Sequence, residues 1–269
     1  MKTLTKNYFL IVFLITSSSI MAQGRVDGFY KGKGNLDLVL GGGMEINDQF
    51  YAGERLVKLS RTISNVNVFA AYGIGEKLDI NLSAPFVSIN GNGNLQDGAI
   101  YLKYKLLEQE LGNGKLSFSM AVGYAAPLSD YQTEGINAIG QQNSQIDARP
   151  IIHYFKNNGW FGTLQFGLQS KSKPTPNSIA STLKIGKASA KDYFDVWYDF
   201  QQSGGGLDYL GNPRPSTFKE LGSDFHKVGA TYYRPIKEKL GFVVGASSTL
   251  AGRNTGKGYG FNLGIVLKQ

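Results

Sequence analysis

Gly258-Tyr259-Gly260-Phe261-Asn262-Leu263-Gly264-Ile265-Val266-Leu267 alternates without a break. Tyr259, Phe261, Leu263, Ile265 and Leu267 share one parity; Gly258, Gly260, Asn262, Gly264 and Val266 share the other. Successive side chains of a β-strand point to opposite faces, so the stretch has one apolar face and one small or polar face. A water-soluble sandwich also alternates, and the other end of the chain separates the two cases. There Lys2 and Lys6 precede the apolar run Tyr8–Ile15 and the small-residue region Met21-Ala22-Gln23. This is the layout of a cleaved export signal over residues 1–23. Its apolar run is far short of the ~20 residues that a membrane-crossing helix needs. Together these features predict an all-β fold, a single transmembrane antiparallel up-and-down β-barrel over residues 24–269 with its apolar face toward lipid. The implied location is the outer membrane of a Gram-negative bacterium.

Eleven more segments repeat the pattern and bring the expected strand number to twelve. They are Gly34–Gly41, Val66–Ile74, Leu78–Val87, Ala99–Leu106, Leu116–Ala126, Ile146–Phe155, Trp160–Lys171, Ser181–Ala188, Tyr193–Gln202, His226–Tyr233 and Leu240–Leu250. The connections alternate as well. Gly75–Lys77, Leu107–Lys115, Lys156–Gly159, Ser189–Asp192 and Arg234–Lys239 are short, as periplasmic turns are. Gly42–Asn65, Ser88–Gly98, Pro127–Gln145, Ser172–Ala180, Ser203–Phe225 and Ala251–Lys257 are expected to be the longer extracellular loops. Tyr72, Phe86, Tyr104, Tyr154, Trp160, Phe200, Tyr232 and Tyr259 sit near strand ends with outward parity, as interfacial girdles require.

Composition narrows the function. The chain has no cysteine, which excludes disulfides, thiolate metal sites and cysteine nucleophiles. Glycine supplies 35 of 269 residues, roughly twice the usual share of about 7%, and suits tight turns and crowded interior positions. The net charge of +8 accompanies no aromatic-basic cluster, so nucleic acid is not an expected partner. Outer-membrane lipid, the barrel-assembly machinery and small-molecule solutes are.

The only histidines are His153 and His226, and no G-x-S-x-G elbow accompanies them. No enzyme activity and no cofactor are expected. His153 has inward parity, whereas His226 reads as a solvated rim residue. Glu45, Asn47 and Asp48 lack calcium-loop spacing and read as a solvated turn. The candidate site is the inward face itself, where Asp79, Lys103, Lys105, Asp147, Arg149, His153, Lys171, Asp195 and Asp199 are expected to line the lumen. They can cross-pair in a filled interior or border a solute path. A passive channel or transporter for small molecules is the leading expectation. The alternative is a non-conducting structural or surface-binding barrel that acts through its extracellular loops.

Several stretches resemble the outer-membrane family named for the meta-pathway of phenol degradation. They are Tyr72-Gly73-Ile74-Gly75-Glu76-Lys77-Leu78-Asp79 through Pro85-Phe86, Leu95-Gln96-Asp97-Gly98 into Leu102-Lys103-Tyr104, and Pro127-Leu128-Ser129-Asp130-Tyr131. The region Gly140–Tyr154 and the most specific motif, Gly252-Arg253-Asn254-Thr255-Gly256-Lys257, complete the set. The resemblance implies passage of small hydrophobic or aromatic compounds and assigns no catalytic or ligand residue. Long-chain fatty-acid channels, distant in sequence, carry a sizeable N-terminal plug; Gly24–Lys33 reads as too short for one.

Overall fold

In the computed structural model, which describes residues 26–269, the chain forms thirteen β-segments and one short 3-10 turn at Phe218–Glu220. The export signal proposed for residues 1–23 lies outside the described residues. The strands are β1 (Leu36–Ala52), β2 (Arg55–Gly75), β3 (Leu78–Ile89), β4 (Asn92–Leu95), β5 (Asp97–Leu111), β6 (Gly114–Pro127) and β7 (Gln145–Lys156). They continue with β8 (Trp160–Lys171), β9 (Ser178–Ala188), β10 (Tyr193–Ser203), β11 (Asp224–Lys237), β12 (Leu240–Arg253) and β13 (Thr255–Lys268). Each pairs antiparallel with its neighbours, and β1 pairs with β13, so the sheet closes on itself.

The barrel has twelve staves, because β4 and β5 are one interrupted strand. Leu95 faces Phe86 and Ala99 faces Ser83, so four steps on one side oppose three on β3. Gln96 is the extra residue of this bulge, and its N–H still donates to the Pro85 carbonyl at 2.8 Å.

The outward faces are apolar. Leu263 is 43% exposed and Phe166 42%, whereas the alternate positions Asn262 and Gln165 are buried. Tyr72, Phe86, Tyr104, Trp160 and Tyr259 are exposed on the same outer face. No residue of the set chosen by parity alone is inverted on β13: Tyr259, Phe261, Leu263, Ile265 and Leu267 all face out.

Three expected loops are not loops. Gly42–Asn65 is the upper part of β1 and β2, closed by the two residues Gly53 and Glu54. Most of this hairpin's exposed residues are polar, Asp48, Gln49, Lys58, Ser60 and Thr62 beside the apolar Ile46 and Leu56, so the apolar alternation fades where the strand does not. Glu45, Asn47 and Asp48 therefore belong to a strand, not to a solvated turn; Glu45 Oε2 accepts from Lys227 Nζ at 2.9 Å across the barrel interior. Ser88–Gly98 is the β3–β4 hairpin, turned at Asn90 (φ 51°) and Gly91 (φ 92°), the left-handed pair that a tight hairpin demands. Ala251–Lys257 shrinks to a bend at Asn254.

Replacing Leu263 with Arg places a charge against lipid within β13 and is expected to lower folding stability by about 2–4 kcal/mol if the site lies near the bilayer midplane. Urea titration of the refolded barrel in lipid vesicles, read by heat-modifiable gel mobility, checks this; an unchanged midpoint would contradict a lipid-facing Leu263.

Candidate functional site

The barrel interior is occupied by the protein's own N-terminal segment. From Leu36 at the rim that also holds the C-terminus, residues 26–35 turn back into the lumen instead of leaving it. Val26 is 1% exposed and packs against Tyr101, Ala121 and Ile151 from β5, β6 and β7. The expectation that so few residues cannot form a plug is thus corrected. Six residues suffice because the wall of β3–β8 already projects large inward side chains that meet the segment partway.

Asp79 and Lys103 hold it. They are directly opposed across β3 and β5, with Asp79 0% and Lys103 1% exposed, and Nζ to Oδ2 is 3.3 Å. A buried ion pair of this kind tolerates desolvation only if its remaining hydrogen-bond positions are filled. The segment fills them. Lys103 Nζ donates to the carbonyl of Asp27 at 3.2 Å, to Asp27 Oδ1 at 3.4 Å and to the carbonyl of Phe29. Asp79 accepts from the Lys31 N–H at 3.2 Å, and Tyr30 lies under Lys103 Nζ with 4.2 Å to its ring centroid. Lys105 approaches the same ring from 4.9 Å and pairs with Glu108 at 2.7 Å. Burial pushes the Asp27 carboxyl up, but Lys103, Lys31 and Lys184 outweigh it and hold it down to about 2.

Two further contacts fix the segment's register. Gln165 Nε2 donates to the Val26 carbonyl at 2.7 Å. Phe29 inserts its ring among four others: His153, Phe161, Phe155 and Tyr193, at centroid distances of 4.6, 5.0, 5.9 and 6.3 Å. His153 is positioned by Thr163, whose Oγ1 lies 2.7 Å from Nδ1. A Cβ on Gly28 would overlap the His153 ring, so only glycine lets the backbone pass.

The remaining charged candidates form the polar wall around this dock. Asp147 accepts from Arg149 at 2.8 Å, Tyr101 at 3.1 Å and Gln169 at 3.2 Å, and Arg149 also donates to Gln165 at 3.3 Å. Asp195 accepts from Tyr193 Oη at 2.5 Å. Asp199 stands opposite Thr182 on β9 and Lys227 on β11. Lys171 ends β8 at the opposite rim, away from the dock. His226, the third residue of β11, lies on the outer face beside Tyr198 and Phe200, with Tyr198 Oη 2.6 Å from Nδ1. Sequence reasoning found the wall charges of the dock, Asp79 and Lys103, by parity but missed Asp27 and Lys31 of the segment and the neutral Gly28, Phe29, Gln165 and Phe161. Neutral residues carry no charge signal, and nothing local in Val26–Lys31 announces a distant partner.

At the other end, loops 128–144 and 204–223 cross the mouth. Gln141 Nε2 donates to the carbonyls of Phe218 and Leu221 at 3.2 and 2.8 Å, and Glu134 accepts from Thr217 Oγ1 at 2.5 Å. Arg61 of β2 reaches the Ala138 carbonyl at 2.8 Å. The motif Arg253-Asn254 clamps the second loop. Arg253 binds Asp208 at 2.5 Å, while Asn254 donates to the carbonyls of Leu207 and Gly222 at 2.9 and 2.7 Å.

Compared by sequence, neither a protein-family model nor a curated protein matches the chain, so the phenol meta-pathway resemblance rests on its motifs alone. Compared by structure, the chain is similar to an outer membrane channel from Pseudomonas putida F1, with a TM-score of 0.71 at 15% identity over 91% of this chain and 100% of that one. Looser likenesses are the translocator domain of the autotransporter NalP from Neisseria meningitidis (TM-score 0.41, 13% identity, 88% of each chain) and opdK from Pseudomonas aeruginosa (0.41, 7%, 90% and 100%). The first shares this fold, that of an outer-membrane barrel.

Lys103→Met strips Asp79 of its buried partner and the segment of its main donor, and such a loss costs about 3–5 kcal/mol. The chain has no native cysteine, so a single Tyr30→Cys reporter is clean. Its thiol labelling from the aqueous phase should accelerate at least about tenfold in the Lys103→Met background, as an undocked segment requires. Equal rates in both backgrounds would contradict the assigned anchor.

Proposed function

We propose that this protein is an outer-membrane channel for small solutes, closed in the observed state by its own N-terminal segment. The observation that carries the reading is the dock itself. Val26–Lys31 is held by side chains of the wall and not by strand pairing, so it can leave while the ring of strands stays closed. The fold, the apolar outer band and the exposed aromatic residues near strand ends support placement in the outer membrane, with its lipid and the assembly machinery as partners. The meta-pathway resemblance adds small hydrophobic or aromatic compounds as the solute class.

The interlocked loops at the mouth favour a second reading, a non-conducting barrel that presents those loops as a binding surface.

Gly28→Val separates the two. It leaves the wall untouched and blocks docking through the His153 clash. Single-channel recording in planar bilayers should show a mostly closed native barrel and an open occupancy at least about tenfold higher in the variant, as a bias of about 1.4 kcal/mol or more implies. If Gly28→Val and a chain lacking residues 26–31 both fold, by heat-modifiable mobility, and neither conducts, the non-conducting reading stands instead.

A further inference from the structure

Each contact that holds the N-terminal segment reads a feature of a bent peptide, turned at Val26 and Gly28, where Asp27 Oδ1 accepts from the Phe29 N–H at 3.0 Å. Gln165 takes the Val26 carbonyl at 2.7 Å. Lys103 Nζ takes the carbonyls of both Asp27 and Phe29, which the bend at Gly28 brings within reach of one ammonium. Asp79 takes the N–H of Lys31 at 3.2 Å. Between these main-chain contacts, two side-chain positions are selected. Position 28 admits no Cβ beside His153, and position 29 carries a ring among four aromatic neighbours. Position 27 is acidic against Lys103, with 3.4 Å from Oδ1 to Nζ.

We propose that the lumen wall of β3, β5, β7 and β8 is a peptide-binding site, selective for a segment that bends at a Gly-aromatic pair after an acidic residue. The protein's own segment fills it in cis, and a separate peptide of the same chemistry fills it in trans once that segment is removed. The proposal rests on the reading above in one respect, that the segment is displaceable. Tethering gives the cis segment an effective concentration in the millimolar range, which is why a free peptide competes poorly with it in the native chain. Peptides are then the ligands that this interior discriminates, by main-chain hydrogen bonds for affinity and by positions 28 and 29 for specificity.

The test uses the chain lacking residues 26–31, refolded and verified by heat-modifiable mobility, and an acetylated, amidated peptide of sequence Val-Asp-Gly-Phe-Tyr-Lys. Titration calorimetry should show saturable binding at one site per barrel. Peptides with Gly28→Ala or Phe29→Ala should bind at least about tenfold more weakly, and Lys103→Met in the barrel should abolish binding. If the shortened chain does not fold, full-length Gly28→Val vacates the same site and takes the same titration. The proposal is overturned if the native peptide does not bind, or if the Gly28→Ala peptide binds equally well. It is also overturned if benzyl alcohol at the same concentration displaces the peptide completely, which would make the aromatic cluster alone the site. Calorimetry needs no current. A barrel that binds peptide but never conducts therefore refutes the channel and leaves this site intact, whereas one that conducts without binding refutes this site alone.

Discussion

A backbone amide in hydrocarbon has no water to turn to, and the whole architecture follows from that constraint. A strand satisfies its N–H and C=O groups only through two neighbours, so an open sheet would leave two rows of groups unpaired. The pairing of β1 with β13, continuous from Asp37 opposite Lys268 to Tyr51 opposite Thr255 but for one bulge, removes both edges at once. Once the ring is closed, a two-residue side-chain period divides every strand between lipid and interior. The apolar exposure of Leu263 and Phe166 and the burial of Asn262 and Gln165 are two faces of one condition.

The same closure creates a difficulty inside. Charges such as Asp79 and Lys103, turned inward by parity, are sealed from water almost completely with the N-terminal segment against them. Their mutual attraction does not by itself offset that desolvation, and a lysine ammonium has three donors to satisfy. A strand wall offers few free acceptors, because its carbonyls are committed to the ladder. The unpaired carbonyls of Asp27 and Phe29 are acceptors of the right kind, and they belong to a segment outside the ladder. The plug thus answers the chemistry of the wall.

The division between what could and could not be read from the chain follows this physics. Wherever a strand lies in lipid, its environment imposes apolar outward residues, and Phe261, Leu263 and Ile265 state the strand and its facing in the sequence alone. In the β1–β2 hairpin that signal fades. The upper halves of β1 and β2 are as regular in backbone as the rest, yet Asp48, Lys58 and Thr62 point outward and the apolar alternation thins there. The inward charges were legible for the converse reason, since Asp79 and Lys103 interrupt apolar parity. The dock was not, because Gly28 and Gln165 acquire meaning only through partners more than a hundred residues apart. The bend at Asn254 likewise takes its role from loop carbonyls far away in sequence.

In the proposed channel the N-terminal segment and the mouth loops would both have to yield, and the two differ in how they are held. The mouth is tied partly by contacts that solvent reaches, such as the Arg253–Asp208 pair with side chains 21% and 39% exposed, and partly by buried ones, such as the Asn254 bond to the Gly222 carbonyl and the packing of Tyr131 and Ile139 on Val87 and Ile89. Exposed pairs are worth about 1 kcal/mol or less. The exposed part of this cap loosens first, as local openings of low free energy do. Withdrawing the N-terminal segment is different in kind. It strips three acceptors from Lys103, leaves the Gln165 amide without its carbonyl, and wets an aromatic cluster. These losses fall together, because one short segment supplies all of them. Loosening at the mouth is therefore expected to be graded and release of the dock concerted, and in the proposed channel both must occur before the lumen becomes continuous.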